Sequence, residues 1–365
     1  MLSVLFVLLM VMPALADGPP VSLPSPSPAT TPSDTGKPIP TTEPTAMDNQ
    51  PDGPTPAPEL TLAELRAVWS RQPTEDVLTE VRLRIDVRDF PAADARIDFL
   101  IDTTDAPMVW FESGRSHELQ ERYRDALQAY DAALERSEDP ALTRDILYRR
   151  VIASNDLRHH AEARALALKL RKLDSLDPAA LPIVDLELGV AEASLGKRKG
   201  TRRITRALAQ LDAQGAEQAW ARSRARFVLT RQRLEASREI RIVGNKRAAR
   251  ALVQRADALK AAEQQVIAIA KTGEPEYALA GILVLGDAYL ALHDDLIAAP
   301  PPRKLDATQA EIYKQKVAER AAVLRDKAYR FYDEGVSFAI RVQWHGGITE
   351  RMKRRRDALS PHSGT

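Results

Sequence analysis

The sequence predicts an all-α fold: a solenoid of antiparallel helix pairs whose helices lengthen towards the C-terminus. Three observations carry this expectation. Ala, Leu and Arg abound while aromatic residues make up only 5% of 365, a balance that favours helices over a sheet sandwich. In Pro107 to Pro140, Gly114 stands on one helical segment and Tyr130 on the next, between Ala126 and Ala133. A large ring there fills the gap between two antiparallel helices, and small residues let their backbones approach. Ala93, Ile97 and Leu100 precede Ala126, Tyr130 and Ala133 by 33 residues each, so the unit has an echo upstream.

Composition narrows the function classes. A hydrophobic content of 44% in a chain of this length supports a substantial core, as two domains or one elongated array. Lys and Arg number 52 against 51 Asp and Glu, giving a formal charge of +1, so no global field draws nucleic acid or anionic lipid. Cysteine is absent, which excludes disulfides, thiolate metal sites and cysteine nucleophiles.

Residues 1–16 form an uncharged apolar run closed by Ala14, Leu15 and Ala16, and read as a secretory signal cleaved after Ala16. No Lys or Arg precedes the run, so a true start further upstream, or retention as an uncleaved anchor, stays open. The expected compartment is the periplasm, with no transmembrane span after cleavage. Residues 17–58 are dense in Pro, Thr, Ser and Asp and cannot offset the entropy of ordering, so they read as a disordered linker. Extended as polyproline II, the linker would reach about 130 Å at about 3.1 Å per residue.

From residue 59 the composition becomes helical. N-terminal repeats are expected over 59–215, a C-terminal helical region with a further repeat unit over 216–361, and a tail at 362–365. Thr61 with Glu64 caps a first helix running to Ser70. Val81 to Phe90 alternates apolar and charged residues as a half-buried strand does. Val77, Val81 and Ile85 share a helical face, however, and the upstream echo sets the choice: Thr74 to Asp89 and Pro91 to Asp102 form a helix pair. After the central unit, Leu142 to Ala153 and His160 to Leu173 form a third pair, with Ala163, Ala167 and Leu170 in the packing positions. Leu181 to Leu195, with Gly189, and a helix from Thr201 form a fourth. Two long helices, Ala216 to Glu239 and Lys246 to Lys271, read as over-long array helices or as a capping hairpin. Ile282, Leu285, Gly286 and Tyr289 then restore the first-helix pattern within Glu274 to Ala299. Pro300 to Pro302 break the chain. A long helix from Ala307 to Gln343 carries Ala328 and Tyr332, and Ile348 to Leu359 closes the fold.

The Trp110, Gly114, Ala126, Tyr130, Ala133 pattern resembles a tetratricopeptide (TPR) unit. More broadly, Leu285 to Tyr289, the Ala299 to Pro302 break, Tyr313, Lys327 to Tyr332, Trp344 and Leu359 to Pro361 resemble the C-terminal part of exported TPR proteins of myxobacteria. That group includes periplasmic subunits associated with the adventurous gliding machinery. The resemblance implies a repeat scaffold in a cell-envelope complex, with a gliding role by fold-level analogy.

Catalytic constellations do not emerge. His117, His159, His160, His293, His345 and His362 lack metal-ligand spacing, and no nucleophile elbow or phosphate loop is present. No cofactor and no metal site is expected, and the chain reads as a non-enzyme. Trp110, Gly114, Ala126, Tyr130, Ala133, Gly286 and Tyr289 read as packing residues. If the first helix of each unit lines a concave groove, Phe111, Arg115 and Glu118, facing away from Tyr130, and then Tyr148 and Asn155, would meet a partner. Two basic clusters, Lys197 to Lys199 with Arg202, Arg203 and Arg206, and Arg351 with Lys353 to Arg356, suit an anionic envelope polymer or an acidic partner better than nucleic acid. The expected function is a non-catalytic protein-binding scaffold. A self-assembling structural envelope protein, and a cell-wall enzyme of an unrecognised helical class, remain the alternatives.

Overall fold

The computed structural model describes residues 61–173, 176–215, 218–242, 245–302 and 304–360; the signal, linker and tail segments named above lie outside them. The described residues form fourteen α-helices and no strand. In order these are α1 (Leu62–Trp69), α2 (Thr74–Asp86), α3 (Phe90–Thr103), α4 (Pro107–Leu119), α5 (Tyr123–Arg136), α6 (Pro140–Asp156) and α7 (His160–Leu170). They continue with α8 (Leu181–Ser194), α9 (Lys199–Ala213), α10 (Ala219–Arg238), α11 (Asn245–Ala270), α12 (Pro275–Ala298), α13 (Ala307–Arg341) and α14 (Gly347–Leu359).

Local chemistry sets the boundaries. Thr61 and Glu64 form the expected capping box: the Glu64 amide donates to Thr61 Oγ1 at 3.3 Å and the Thr61 amide to Glu64 Oε2 at 2.8 Å. Val81 to Ile85 are helical rather than extended, and Val77, Leu78, Val81 and Ile85 are buried together. Proline occupies the first turn of α3, α4, α6, α8 and α12, where its missing N–H costs no helical hydrogen bond.

One turn recurs between helices. Arg88, Glu121, Arg158 and Gln343 have φ of 60°, 61°, 66° and 52°, and Gly196 has 71°. In each case the next amide donates to the carbonyl five residues back: Asp89 to Arg84 at 2.9 Å, Arg122 to His117 at 2.9 Å, and His159 to Ser154, Lys197 to Glu192 and Trp344 to Ala339 each at 2.8 Å. This is the Schellman closure, which satisfies carbonyls at the helix end and reverses the chain in a few residues.

From α2 onwards each helix packs on its successor, and α2, α4, α6, α8, α10 and α12 also touch in sequence. Separate small cores lie under the first pairs, whereas Leu234 to Met352 share one large core. The core is continuous across residues 215–218: Ile183, Leu186, Ile204 and Leu211 pack with Ala221, Ala225 and Val228 of α10. Helix α12 is long and apolar enough to span a bilayer by composition, but 61% of that stretch is buried between its neighbours.

The chain also meets itself. Arg351 of α14 pairs with Glu121 of the α4–α5 turn at 3.0 Å, and the Arg88 guanidinium lies over the Trp344 ring at 3.2 Å. An open array contacts only sequence neighbours. Here the last helices close onto the turns of the first pairs.

Candidate functional site

The central pair is held by an interlock. Tyr130 is fully buried, and a Cβ on Gly114 would overlap its ring. Its hydroxyl donates to Glu118 at 2.6 Å. The same construction recurs in α12 and α13: a Cβ on Gly286 would lie 2.6 Å from the Tyr332 ring, and Tyr332 donates to Asp287 at 2.6 Å. Ala126 and Ala133 are fully buried, and Tyr289 is buried with its hydroxyl on Glu263 at 2.6 Å. Trp110 is only half-buried, with Arg136 above its ring at 5.1 Å.

The expected groove residues take different places. Phe111 packs against Tyr130 with ring centroids 6.0 Å apart, and Glu118 is bonded to the same tyrosine. Neither faces away from it. The reason is helical period: Phe111, Gly114 and Glu118 are related by three and four residues and share one face of α4. Arg115 is half-buried against Glu112 at 2.8 Å and Asp86 at 3.6 Å. Asn155 is buried and donates to the Glu187 carbonyl at 3.0 Å and its carboxylate at 2.9 Å. Tyr148 lies edge-on to Trp220 at 6.1 Å, its hydroxyl buried and without a hydrogen-bond partner among the described residues.

These positions belong to a charged interior that links successive first helices. Arg82 of α2 donates to Glu112 of α4 at 2.9 Å, and Arg149 of α6 to Glu118 of α4 at 3.2 Å. Arg224 of α10 reaches both Glu187 of α8, at 3.0 Å, and Asp156 of α6, at 3.1 and 3.2 Å. Glu187 is fully buried and Arg224 nearly so. Burial opposes the Arg224 charge, but Asp156 and Glu187 outweigh it and hold the guanidinium well above its usual range. Fully bonded charges of this kind are destabilised badly by losing one partner.

Beside this network lies a cavity of about 230 Å³, lined by Arg88, Glu118, Tyr123, Arg149, Asp156, Trp220, Glu274, Glu276 and Tyr277 among others. The start of α12 thus faces α4 and α6 across it. Burial pushes the Glu276 carboxyl up to about 7, with Arg88 at 3.9 Å pulling the other way. Because 40% of that side chain still meets water, solvent tempers the upward shift. Burial also raises the Glu274 carboxyl and lowers Arg88.

Sequence reasoning missed Arg88, Glu187, Arg224 and Glu276. A signal existed for Glu187, which with Asp185 and Glu192 interrupts an apolar helix; Glu187 and Glu192 are fully buried. Among the described residues His293 bonds its neighbour Asp294, at 2.9 Å, and Asp295 pairs with Arg255. Among the described residues no group of three His, Asp or Glu side chains converges as a metal site.

Fold and site define an all-helical protein of stacked helix pairs with an ion-paired interior. No protein-family model matches the chain, and no curated protein matches it.

Proposed function

We propose that this protein is a TPR-like α-solenoid that serves as a non-catalytic scaffold, holding protein partners in a cell-envelope complex after export to the periplasm. The observation that carries the reading is the interlock repeated in two helix pairs, Gly114 with Tyr130 and Gly286 with Tyr332, each ring ending on a carboxylate of the first helix. A unit that seats a ring against a glycine builds stiff hairpins, and stiff hairpins stacked in order present side chains in fixed register. The recurring Schellman turns support the same reading.

The role is surface presentation, and a link to gliding motility stays at the level of resemblance. Because Phe111, Glu118 and Asn155 are engaged internally, partner contact falls on outward surfaces or on the rim of the interior cavity. Crosslinking of the full chain in the native envelope, followed by mass spectrometry, tests the reading. Recovery of the same envelope proteins in independent experiments is expected, and recovery of only self-crosslinked copies would reject it.

Self-crosslinks would instead favour the self-assembling alternative, to which one observation lends support. Leu296, Ile297, Ile312 and Val317 line an apolar hollow of about 670 Å³ between α12 and α13, with Ile297 46% and Ile312 55% exposed.

A further inference from the structure

Two basic clusters look alike in the sequence, and the fold treats them differently. In the C-terminal cluster Arg351 pairs with Glu121 at 3.0 Å, Lys353 with Glu350 at 2.8 Å, Arg355 with Asp287 at 3.3 Å, and Arg356 with Asp333 at 3.5 Å and Asp357 at 3.0 Å. Most of its charge is matched within the protein.

On α9 the outcome is reversed. Buried Glu192 gathers Lys199 at 3.0 Å, Arg203 at 3.3 Å and Arg164 of α7 at 3.6 Å. Asp185 gathers Arg203 at 2.9 Å and Arg171 at 3.0 Å. Two acids therefore serve four cations. Lys197, Arg198, Arg202 and Arg206 are exposed and have no ion-pair partner among the described residues.

Arg198, Arg202 and Arg206 recur every four residues and so form one stripe along α9 and its N-terminal edge. Like charges at that spacing repel and oppose the helix, and no ion pair among the described residues offsets them. Exposed and solvated, the three guanidinium groups are free to take an external anion. The stripe's period is about 6 Å along the axis. Alternate residues of an extended, strand-like chain are about 6 to 7 Å apart and point to one face, so carboxylates on every second residue match it. Guanidinium groups also offer the two-pronged donor geometry that a carboxylate accepts. A lipid surface fits less well: Leu195 is the only large hydrophobic side chain exposed between residues 160 and 215 among the described ones, so little can insert.

We propose that the Arg198, Arg202, Arg206 stripe is a docking surface for an extended acidic polypeptide segment with carboxylates on alternate residues. This rests on the scaffold reading and names the chemistry of one partner.

The test is fluorescence anisotropy of the full chain with a labelled Glu-Thr repeat peptide, a Gln-Thr repeat peptide as control, and phosphatidylglycerol vesicles as competitor. The Glu-Thr probe should bind, weaken as salt rises, and lose about ten-fold in affinity in Arg198→Gln/Arg202→Gln/Arg206→Gln. Lys353→Glu/Arg354→Glu should bind it as wild type does. Circular dichroism reports whether each variant is folded, and Arg202→Gln alone, a single exposed change, should give a smaller loss in the same direction. Equal binding of the two peptides, wild-type affinity in the stripe variants, no binding of the Glu-Thr probe, or vesicle binding through the stripe in its place would overturn the proposal. Should those results coincide with envelope partners still recovered by crosslinking, the stripe assignment alone falls and the scaffold reading stands.

Discussion

The guanidinium of Arg88 lies over the indole of Trp344, 3.2 Å from the ring centroid, joining the turn after α2 to the turn after α13. Arg88 also donates to the Leu119 carbonyl at 3.5 Å and approaches Glu276 at 3.9 Å, so one side chain touches several distant parts of the chain. Its φ of 60° is unfavourable for any residue but glycine, at a cost of about 1 to 2 kcal/mol. Arg88→Ala should therefore destabilise by about 1 to 2 kcal/mol through the lost ring contact. It should also increase the radius of gyration in small-angle scattering as the closure loosens. Arg88→Gly relieves the backbone strain and should be the more stable of the two variants, with the same expansion. Unchanged dimensions in both would show that Arg88 does not hold the ends together.

Gly114 and Gly286 should resist any side chain. Overpacking of a filled core costs about 1 to 3 kcal/mol and sometimes more, so Gly114→Ala and Gly286→Ala should each lower the urea midpoint by that order. Gly215, with φ of 82° and no atom within 4 Å of where a Cβ would stand, should cost only about 1 kcal/mol as Ala, from backbone strain alone. Equal losses at all three sites would remove the interlock as the special feature.

Arg224 should be among the costliest single positions. Arg224→Met leaves Glu187 fully buried without its cation, a loss of about 3 to 5 kcal/mol. Pairing it with Glu187→Gln should recover part of that loss, because the stranded charge disappears. Chemical denaturation of the two single variants and the double variant measures the coupling directly.

Glu276 gives the pH dependence a sign. Burial raises its carboxyl from 4.5 towards about 7, a shift tempered by the 40% of the side chain that meets water, so in that window the folded protein keeps more of the proton than the unfolded chain does. Stability should then fall as pH rises from about 4.5 to about 7, and the penalty persists above. Glu276→Gln should flatten that decline, gaining thermal midpoint at pH 8 relative to wild type and little at pH 4. A parallel shift at both pH values would mean that the change acts through packing.

The helices were legible because their signals are local. Thr61 and Glu64 mark a cap, Pro107 and Pro140 mark helix starts, and Val77, Val81 and Ile85 mark a face. Gly114 with Tyr130 was readable for the same reason, since one hairpin contains both. Assigning Phe111 and Glu118 to the opposite face failed on a periodicity that the sequence did contain. Other features were out of reach. Arg88 meets Trp344 and Arg351 meets Glu121 across more than two hundred residues of sequence, and no short window encodes a contact of that separation. Positive φ at Arg88, Glu121, Arg158 and Gln343 was hidden because the usual glycine marks only Gly196 among these turns. The division of the two basic clusters depended likewise on distant acids: Glu121 and Asp287 for one, and too few for the other.

The proposed role is that this stack of hairpins holds protein partners as a non-catalytic scaffold. Crosslinking of the full chain in its native envelope, read by mass spectrometry beside a sample of cells lacking the protein, is the most direct measurement. The account predicts a small, reproducible set of envelope proteins crosslinked through outward-facing residues. Crosslinks confined to copies of this chain, or none above the control, would contradict it.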